Sequence, residues 1–177
     1  MSAISDTLMI PILFVIGSIF GSFLNVVIYR VPKKMSIVTP GSHCFSCKKP
    51  ICFKDNIPIL GYFLLKGKCR HCSNPYPSRY AFVELITALL TICVYLIYGM
   101  GQPFIIYLSL TYLLIAITFV DIDHFIIPNG FVLIGLGVLA FGLYFGWIPI
   151  TWEDSLYGSL VFAGFLFSIG LIGQFIL

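Results

Sequence analysis

The sequence predicts an all-α polytopic membrane protein, because it is strongly apolar, its charges are confined to one segment, and long uncharged stretches recur along it. The 177-residue chain is 59% hydrophobic and 10% charged, and its mean hydropathy is +1.04. A water-soluble globule of that composition would lack the polar residues to cover its surface. We therefore expect a bilayer to surround most of the chain.

Uncharged stretches locate the crossings, because a charge near the bilayer centre costs several kcal/mol and each crossing needs about 20 apolar residues. The longest stretch, 85–120, contains Gly99, Gly101 and Pro103, a turn cluster that divides it into two helices. The uncharged stretch nearest the N-terminus has no basic residue before it and no A-x-A-like cleavage site. We therefore expect this stretch to be a retained helix rather than a signal peptide. About five transmembrane helices result, at roughly 8–29, 81–98, 104–121, 130–148 and 156–177.

The basic residues predict the orientation in the membrane. All ten Lys and Arg residues lie between Arg30 and Arg79, and loops rich in these residues are retained in the cytosol. The N-terminus is then external, and alternation brings residues 121–129 to the cytosolic face. The net charge of +3 is explained by topology and anionic lipid, so we expect no nucleic-acid partner. The expected divisions are an N-terminal transmembrane helix, 1–29, a cytosolic loop, 30–79, and a transmembrane helical region, 80–177.

The cytosolic loop between helices 1 and 2 contains two CxxC pairs, Cys44 with Cys47 and Cys69 with Cys72. Two such pairs supply the four thiolates of a tetrahedral, zinc-ribbon-like metal site, and a reducing cytosol disfavours disulfides. We expect structural Zn²⁺, with iron in a rubredoxin-like arrangement as the alternative. A closed shell of four thiolates has no open coordination position, so catalytic groups must lie elsewhere.

The remaining cysteines and the nearby histidines have weaker patterns. His43 and His71 adjoin the CxxC pairs and are alternative ligands. Cys52 has no partner at CxxC spacing and Cys93 lies in an apolar helix, so both are expected to be ordinary buried residues.

Three carboxylates near the predicted cytosolic helix ends are candidate functional groups: Glu84, Asp121 and Asp123. Their positions alone are explained equally well by a functional role and by a structural one, in which the carboxylates are solvated among the lipid headgroups or cap a helix end.

The first helix carries a face of small residues. Gly17 and Gly21, with the serines that follow them, recur at i and i+4, a pattern typical of close helix packing. Asn25 lies one turn further on, and we expect it to bond to a neighbouring helix or to its own backbone.

An ordered set of motifs resembles a known family. The motifs are Gly21-Ser22-Phe23-Leu24-Asn25-Val26-Val27-Ile28-Tyr29-Arg30, the two CxxC pairs, Pro77-Ser78-Arg79-Tyr80 with Val83-Glu84-Leu85, and Asp121-Ile122-Asp123 followed by Ile127-Pro128-Asn129. In this order they resemble the bacterial prepilin peptidases of type IV pilus and type II secretion systems.

The resemblance implies a GxGD-type membrane aspartic protease of the bacterial inner membrane. Such enzymes cut the basic leader from prepilins or pseudopilins at the cytosolic face, then methylate the new N-terminus with S-adenosylmethionine. The family's first catalytic aspartate opens a D-x6-P-D/N pattern, which falls here on Asp121. The step Gly67-Lys68 resembles a segment tied to methylation, and Glu84 and Asp123 are further candidates for a substrate or methyl-donor pocket.

The family's second aspartate lies in a GxGD motif, and this sequence contains none. Peptide hydrolysis by an aspartic protease needs one ionised and one protonated carboxyl group. Asp123 lies at i+2 from Asp121 and would not share its helix face. We therefore expect the chain to be an incomplete version of a longer protein and inactive as a protease by itself.

Other functions remain open at this point. One alternative is a non-catalytic scaffold whose zinc-bearing loop recruits partners of a secretion or pilus system. The absence of a GxGD motif favours this alternative. An iron-containing redox membrane protein is the second alternative. Membrane lipid and a second copy of the chain, as a homodimer, are further expected partners.

Overall fold

The computed structural model describes residues 2–176, with side chains for 7–172, and this part of the chain is almost entirely helical. It contains no strand, which confirms the all-α prediction. The predicted end of the last crossing, Leu177, lies outside the described residues. The helices are α1 (Ser2–Arg30), α2 (Leu60–Leu64), α3 (Arg79–Tyr98), α4 (Gln102–His124), α5 (Asn129–Tyr144) and α6 (Trp152–Ile176), with a 3-10 turn at Phe53–Asn56.

Four described helices are long and apolar enough to cross a membrane, within α1, α3, α4 and α6. The fifth predicted crossing is α5, a 16-residue helix that extends about 24 Å, against a hydrocarbon core of about 30 Å. It ends earlier than the predicted residue 148, because Gly146 adopts a φ of +65° and a turn follows it. The predicted turn between α3 and α4 is confirmed, with Gly99 at a φ of +64°.

Helix α1 packs closely against α3, and glycine makes this approach possible. A Cβ atom added at Gly17 would lie 2.7 Å from the Ala88 Cα, and one added at Gly21 would lie 2.6 Å from the Glu84 Cα. Backbone atoms cannot move aside as a flexible side chain can. The predicted small-residue face of the first helix is therefore confirmed as the α1–α3 contact.

The apolar core joins four helices at one end of the bundle. Ile28 of α1, Val83 of α3, Val120 of α4 and Phe131 of α5 belong to one buried cluster. The described side chains of α6 are almost all exposed, as expected for a helix surrounded by lipid. This core fixes the ends of α1, α3 and α4 next to the polar segment described below.

Residues 31–78 form a small module between α1 and α3, with little regular structure. Two isolated antiparallel bridges, His43 with Pro50 and Lys68 with Pro75, hold its cysteine turns. This module, named the metal module below, corresponds to the predicted charged loop.

Candidate metal centre and adjoining cavity

The two CxxC turns of the metal module have the same backbone geometry. In the first turn the N–H of Cys44 donates to the carbonyl of Lys49, and in the second the N–H of Cys69 donates to that of Asn74, each over 2.9 Å. The residue four positions after each of these cysteines, Lys48 or Ser73, takes a positive φ. Repetition of one turn places two thiols from each side in the same small space.

The four predicted ligands come together. The Sγ atoms of Cys44 and Cys72 are 3.8 Å apart, and those of Cys47 and Cys69 are 3.9 Å apart. All four lie within 4.8 Å of one another. A tetrahedral site with Zn–S bonds of about 2.3 Å has S–S edges of about 3.8 Å. The geometry of the thiols therefore fits Zn²⁺.

Two of the four thiols differ in their ease of ionisation. Backbone N–H groups of Cys47 and Ser46 lower the pKa of Cys44 to about 6. The N–H of Asn74 favours the thiolate of Cys72 in the same way, but desolvation and hydrogen bonds shared with the other thiols raise its pKa to about 11. Cys44 therefore ionises more readily than Cys72, and the thiolate is the form that binds metals.

The remaining cysteines and histidines of this region lie outside the four-thiol cluster. The His43 ring bonds to the carbonyl of Gly41 over 2.9 Å, and neither His43 nor His71 belongs to the cluster. Cys52 and Cys93 were expected to be buried, and both are exposed. Cys93 lies on the outward face of α3, where apolar character suits contact with lipid, and Cys52 lies at the start of the 3-10 turn.

A cavity of about 300 Å³ separates the metal module from the membrane helices. Its helix wall comes from α1 and α3 and includes Asn25, Tyr80 and Glu84, and its module wall includes Asp55 and Tyr62. The volume is at the lower end of the range for sites that bind small molecules, about 300 to 1,000 Å³.

The cavity's helix wall is held by two contacts that cross between elements. The Asn25 side-chain amide donates to the Tyr80 carbonyl over 3.0 Å, which confirms the predicted bond to a neighbouring helix. Glu84 is 9% exposed, and its Oε2 accepts the N–H of Ile59 over 2.6 Å. Ile59 has a φ of +63°, an uncommon conformation for a β-branched residue, and it immediately precedes α2.

Sequence reasoning missed the polar groups of the module wall. Asp55 forms a bidentate ion pair with Arg70, whose Nε lies 2.8 Å from Oδ2. The hydrogen bonds from Arg70 hold the pKa of Asp55 below its usual value. Tyr62 and Tyr76 pack edge to face with ring centroids 5.4 Å apart, and burial raises the pKa of Tyr76. Asp55, Tyr62 and Tyr76 belong to no recognisable motif, and the position of Arg70 within the second CxxC pair does not indicate its partner, so the sequence carried no signal for these contacts.

Gly67 and Lys68 lie beside the cavity rather than in its lining. Gly67 is buried at a φ of +66°, and a Cβ added there would lie 3.0 Å from the Tyr62 ring. Lys68 is exposed. Of these two residues, Gly67 is the one that determines the position of a cavity side chain.

The two predicted aspartates occupy the last turn of α4, away from the cavity lining. Asp121 is exposed, and its carbonyl accepts the N–H of Phe125 at the helix end over 2.8 Å. Asp123 forms an ion pair with Arg79 over 2.5 Å. The candidate site residues therefore lie in two regions, one around the cavity and one at the end of α4.

Comparison with known proteins gives consistent matches. Residues 15–98 match the family described as Bacterial Peptidase A24 N-terminal domain. The "Type 4 prepilin-like proteins leader peptide-processing enzyme" of Escherichia coli O78:H11 (strain H10407 / ETEC) is 36% identical, over 85% of this chain and 63% of that protein. Two proteins named "Prepilin leader peptidase/N-methyltransferase" are also similar. That of Myxococcus xanthus (strain DK1622) is 39% identical over 87% of this chain and 45% of its own length. That of Klebsiella pneumoniae is 35% identical over 87% of this chain and 69% of its own length.

The chain thus spans 45% and 63% of the lengths of the first two relatives. No solved structure matches it significantly.

Proposed function

Because this chain belongs to the bacterial prepilin leader peptidase/N-methyltransferase family, we propose that the protein removes the basic leader from type IV prepilins or pseudopilins and methylates the new N-terminal residue. The observation that carries this proposal is the similarity, at 31–39% identity, to relatives named for these activities. The four apolar helices make it a membrane protein, and prepilins with an apolar helix after their leader are substrates that a membrane enzyme can meet in the bilayer.

Asp121 is the proposed catalytic carboxylate of the peptidase. It lies at the accessible end of a membrane helix, where the leader of a membrane-inserted substrate would leave the bilayer. An aspartic peptidase divides its work between an ionised carboxylate, which takes a proton from water, and a protonated carboxyl, which donates to the scissile carbonyl. This sequence contains no GxGD aspartate. The proposed mechanism therefore assigns Asp121 only one of the two carboxyl roles.

Zn²⁺ at the four cysteines has a structural role in this proposal. Cys44, Cys47, Cys69 and Cys72 would hold the ion and would leave no position for water. When bound, it joins the two repeated turns and so maintains the module wall of the cavity.

We assign the methylation activity to the cavity region, with Glu84, Gly67 and Lys68 as its proposed residues. S-adenosylmethionine would supply the methyl group. We assign Asp123 a positioning role, because its pair with Arg79 joins the end of α4 to the start of α3.

In the proposed arrangement the protein lies in the bacterial inner membrane with an external N-terminus. The divisions are the helix 1–29, the cytosolic metal module within 30–79 and the membrane region 80–177. The ten basic residues between Arg30 and Arg79 support this orientation, and they favour contact with anionic lipid. We include a homodimer in the proposal as an assembly for experiment to test.

Leader removal by the full-length gene product tests the proposal. The purified protein in detergent is incubated with a prepilin, and leader loss and the mass of the new N-terminus are followed. We expect cleavage and a mass increase of about 14 Da at the new N-terminus, because a methyl group replaces a hydrogen atom, and Asp121→Asn should abolish cleavage. Cleavage that survives this substitution would overturn the role of Asp121, and a full-length protein that does not cleave would favour the scaffold function.

A further inference from the structure

The turn between α4 and α5 exposes apolar side chains beside charged ones. Phe125, Ile126 and Ile127, named the apolar turn below, are 87%, 48% and 54% exposed. Asp121 and Asp123, on the last turn of α4, are exposed as well. Carboxylates at this level place the turn at the water interface rather than within the hydrocarbon. Its apolar side chains therefore meet water unless another molecule covers them.

The path of the turn is fixed at both ends. Val120 is fully buried and Phe131 is 8% exposed, and both belong to the same apolar core. The N–H of Phe131 also donates to the Pro128 carbonyl over 2.9 Å at the start of α5. The buried ends hold the turn in place, which leaves its exposed side chains available for contact with a partner.

Phe125 occupies a backbone conformation that favours glycine. It has a φ of +54° where α4 ends, and its N–H donates to the Asp121 carbonyl over 2.8 Å. Helices commonly end on a residue in this left-handed conformation, which glycine adopts without steric cost. A large apolar side chain that is both strained and exposed to water contributes little to folding, and strain of this kind is an indication of function.

The position of the apolar turn relative to Asp121 indicates its partner. Phe125 lies one helical turn after Asp121, the proposed catalytic carboxylate, and Asp121 belongs to neither ion pair of the described residues. The proposed substrate changes from a basic leader to an apolar segment at the bond that is cut. An unpaired carboxylate beside an exposed apolar surface is complementary to such a segment.

From these features we infer that the apolar turn is the subsite for the substrate residues that follow the cleaved bond. This inference rests on the proposed function and adds specificity-determining residues to it. Phe125, Ile126 and Ile127 cover the first apolar side chains of the mature segment, and removal of both surfaces from water holds the bond next to Asp121. Because such contact is non-directional, it selects apolar character rather than one residue type.

A pair of substrates tests the subsite in the purified full-length protein in detergent. The two prepilins differ only in three consecutive residues after the cut, which are Leu in one and Ser in the other, and initial rates of leader removal give kcat/KM for each. We expect the wild type to prefer the Leu substrate by about 10-fold or more, and Phe125→Gly to prefer it by less than about 3-fold. Phe125→Leu should retain most of the preference, because it keeps an apolar side chain.

Phe125→Gly also separates binding from folding. Glycine suits the φ of +54° at this position, so the variant should unfold no earlier than the wild type in a denaturing-detergent titration. Full preference for the Leu substrate in Phe125→Gly would overturn the subsite. Equal slowing of both substrates would overturn it too, because it would show that the turn contacts lipid or detergent rather than substrate.

Phe53→Ala is the matched control, because Phe53 is an aromatic residue of the metal module that is 88% exposed. It lies outside the cavity lining and outside the apolar turn. Its preference between the two substrates should equal that of the wild type.

Photo-crosslinking separates this inference from the proposed function, because it detects binding without turnover. The full-length protein carries Asp121→Asn with Phe125→benzoylphenylalanine, and it is irradiated with a prepilin. Mass spectrometry should locate the adduct on the apolar residues after the cut, and Phe53→benzoylphenylalanine should give none. Adducts to detergent alone, with cleavage by the wild type, would overturn the subsite and leave the peptidase activity in place. A substrate adduct without cleavage by the wild type would overturn the peptidase activity and leave the binding surface in place.

Discussion

The Glu84 carboxylate on α3 accepts the backbone N–H of Ile59 over 2.6 Å, across 25 residues of sequence. This bond connects the metal module to a membrane helix and meets the chain at Ile59, where φ is +63°. Because positive φ is costly for a β-branched residue, the conformation depends on contacts such as this one. Glu84 therefore stabilises the start of α2.

Replacement of Glu84 by Ala should loosen residues 53–65. Loss of the acceptor leaves a partly buried N–H without a partner, which costs about 1–3 kcal/mol. Hydrogen exchange in this segment should then accelerate by about 5- to 150-fold, as measured by mass spectrometry in detergent. Glu84→Gln keeps an acceptor oxygen and should have a smaller effect.

Glu153→Ala is the control for this experiment, since Glu153 is an exposed glutamate at the start of α6. Its substitution should leave exchange in residues 53–65 unchanged. Equal exchange in Glu84→Ala and the wild type would show that the bond to Ile59 does not stabilise the segment.

Metal content should distinguish the clustered cysteines from the other two. We expect about one zinc ion per chain in the purified protein, because four thiolates complete a tetrahedral shell. Cys47→Ser should reduce this value strongly, whereas Cys52→Ser and Cys93→Ser should not change it, since neither belongs to the cluster. Elemental analysis by mass spectrometry makes the comparison, and iron in place of zinc would contradict the expected metal.

Local sequence patterns predicted the parts of this protein that depend on spacing along the chain. Two turns with CxxC spacing are enough to bring four thiols together, and glycines at i and i+4 are enough to define a close helix contact. Both predictions are confirmed by the Sγ distances of Cys44 and Cys72 and by the approach of Gly21 to α3.

The cavity could not be predicted, because its contacts depend on the path of a loop with little regular structure. The bond from Ile59 to Glu84 spans 25 residues. The ion pair at the end of α4, outside the cavity, is equally non-local, since Arg79 and Asp123 are 44 residues apart. No periodicity in the sequence fixes either distance. The sequence marked Glu84 and Asp123 as candidates, but their partners became evident only in the folded chain.

Replacement of Gly21 by Ala should destabilise the helix bundle. The added Cβ would lie 2.6 Å from the Glu84 Cα, and overpacking of this kind costs about 1–3 kcal/mol. Gly164→Ala on α6 is the matched control, because an added Cβ there meets nothing within 4 Å and Ala has the higher helix propensity. Unfolding in a denaturing-detergent titration should occur earlier for Gly21→Ala and no earlier for Gly164→Ala. The same midpoint for both variants would contradict the close α1–α3 contact.

Replacement of Asp123 by Ala should have a much smaller effect on leader cleavage than Asp121→Asn. Asp123 and Arg79 have side chains 29% and 34% exposed, and pairs accessible to water contribute about 0.2–1 kcal/mol. The pair holds the turn of α4 that carries Asp121, so its loss should slow cleavage by about 2- to 5-fold in the full-length protein, as measured from the initial rate of leader removal.

Arg79→Ala tests the same ion pair from its other side. It should slow cleavage at least as much, since Arg79 also donates to the Phe119 carbonyl over 3.4 Å. The double variant should be no slower than Arg79→Ala, because the shared pair is already lost in that variant. Complete loss of cleavage in Asp123→Ala, with rates near the wild type in Arg79→Ala, would show that Asp123 takes part in the chemistry itself. Its pairing with Arg79 would then be secondary to a role beside Asp121.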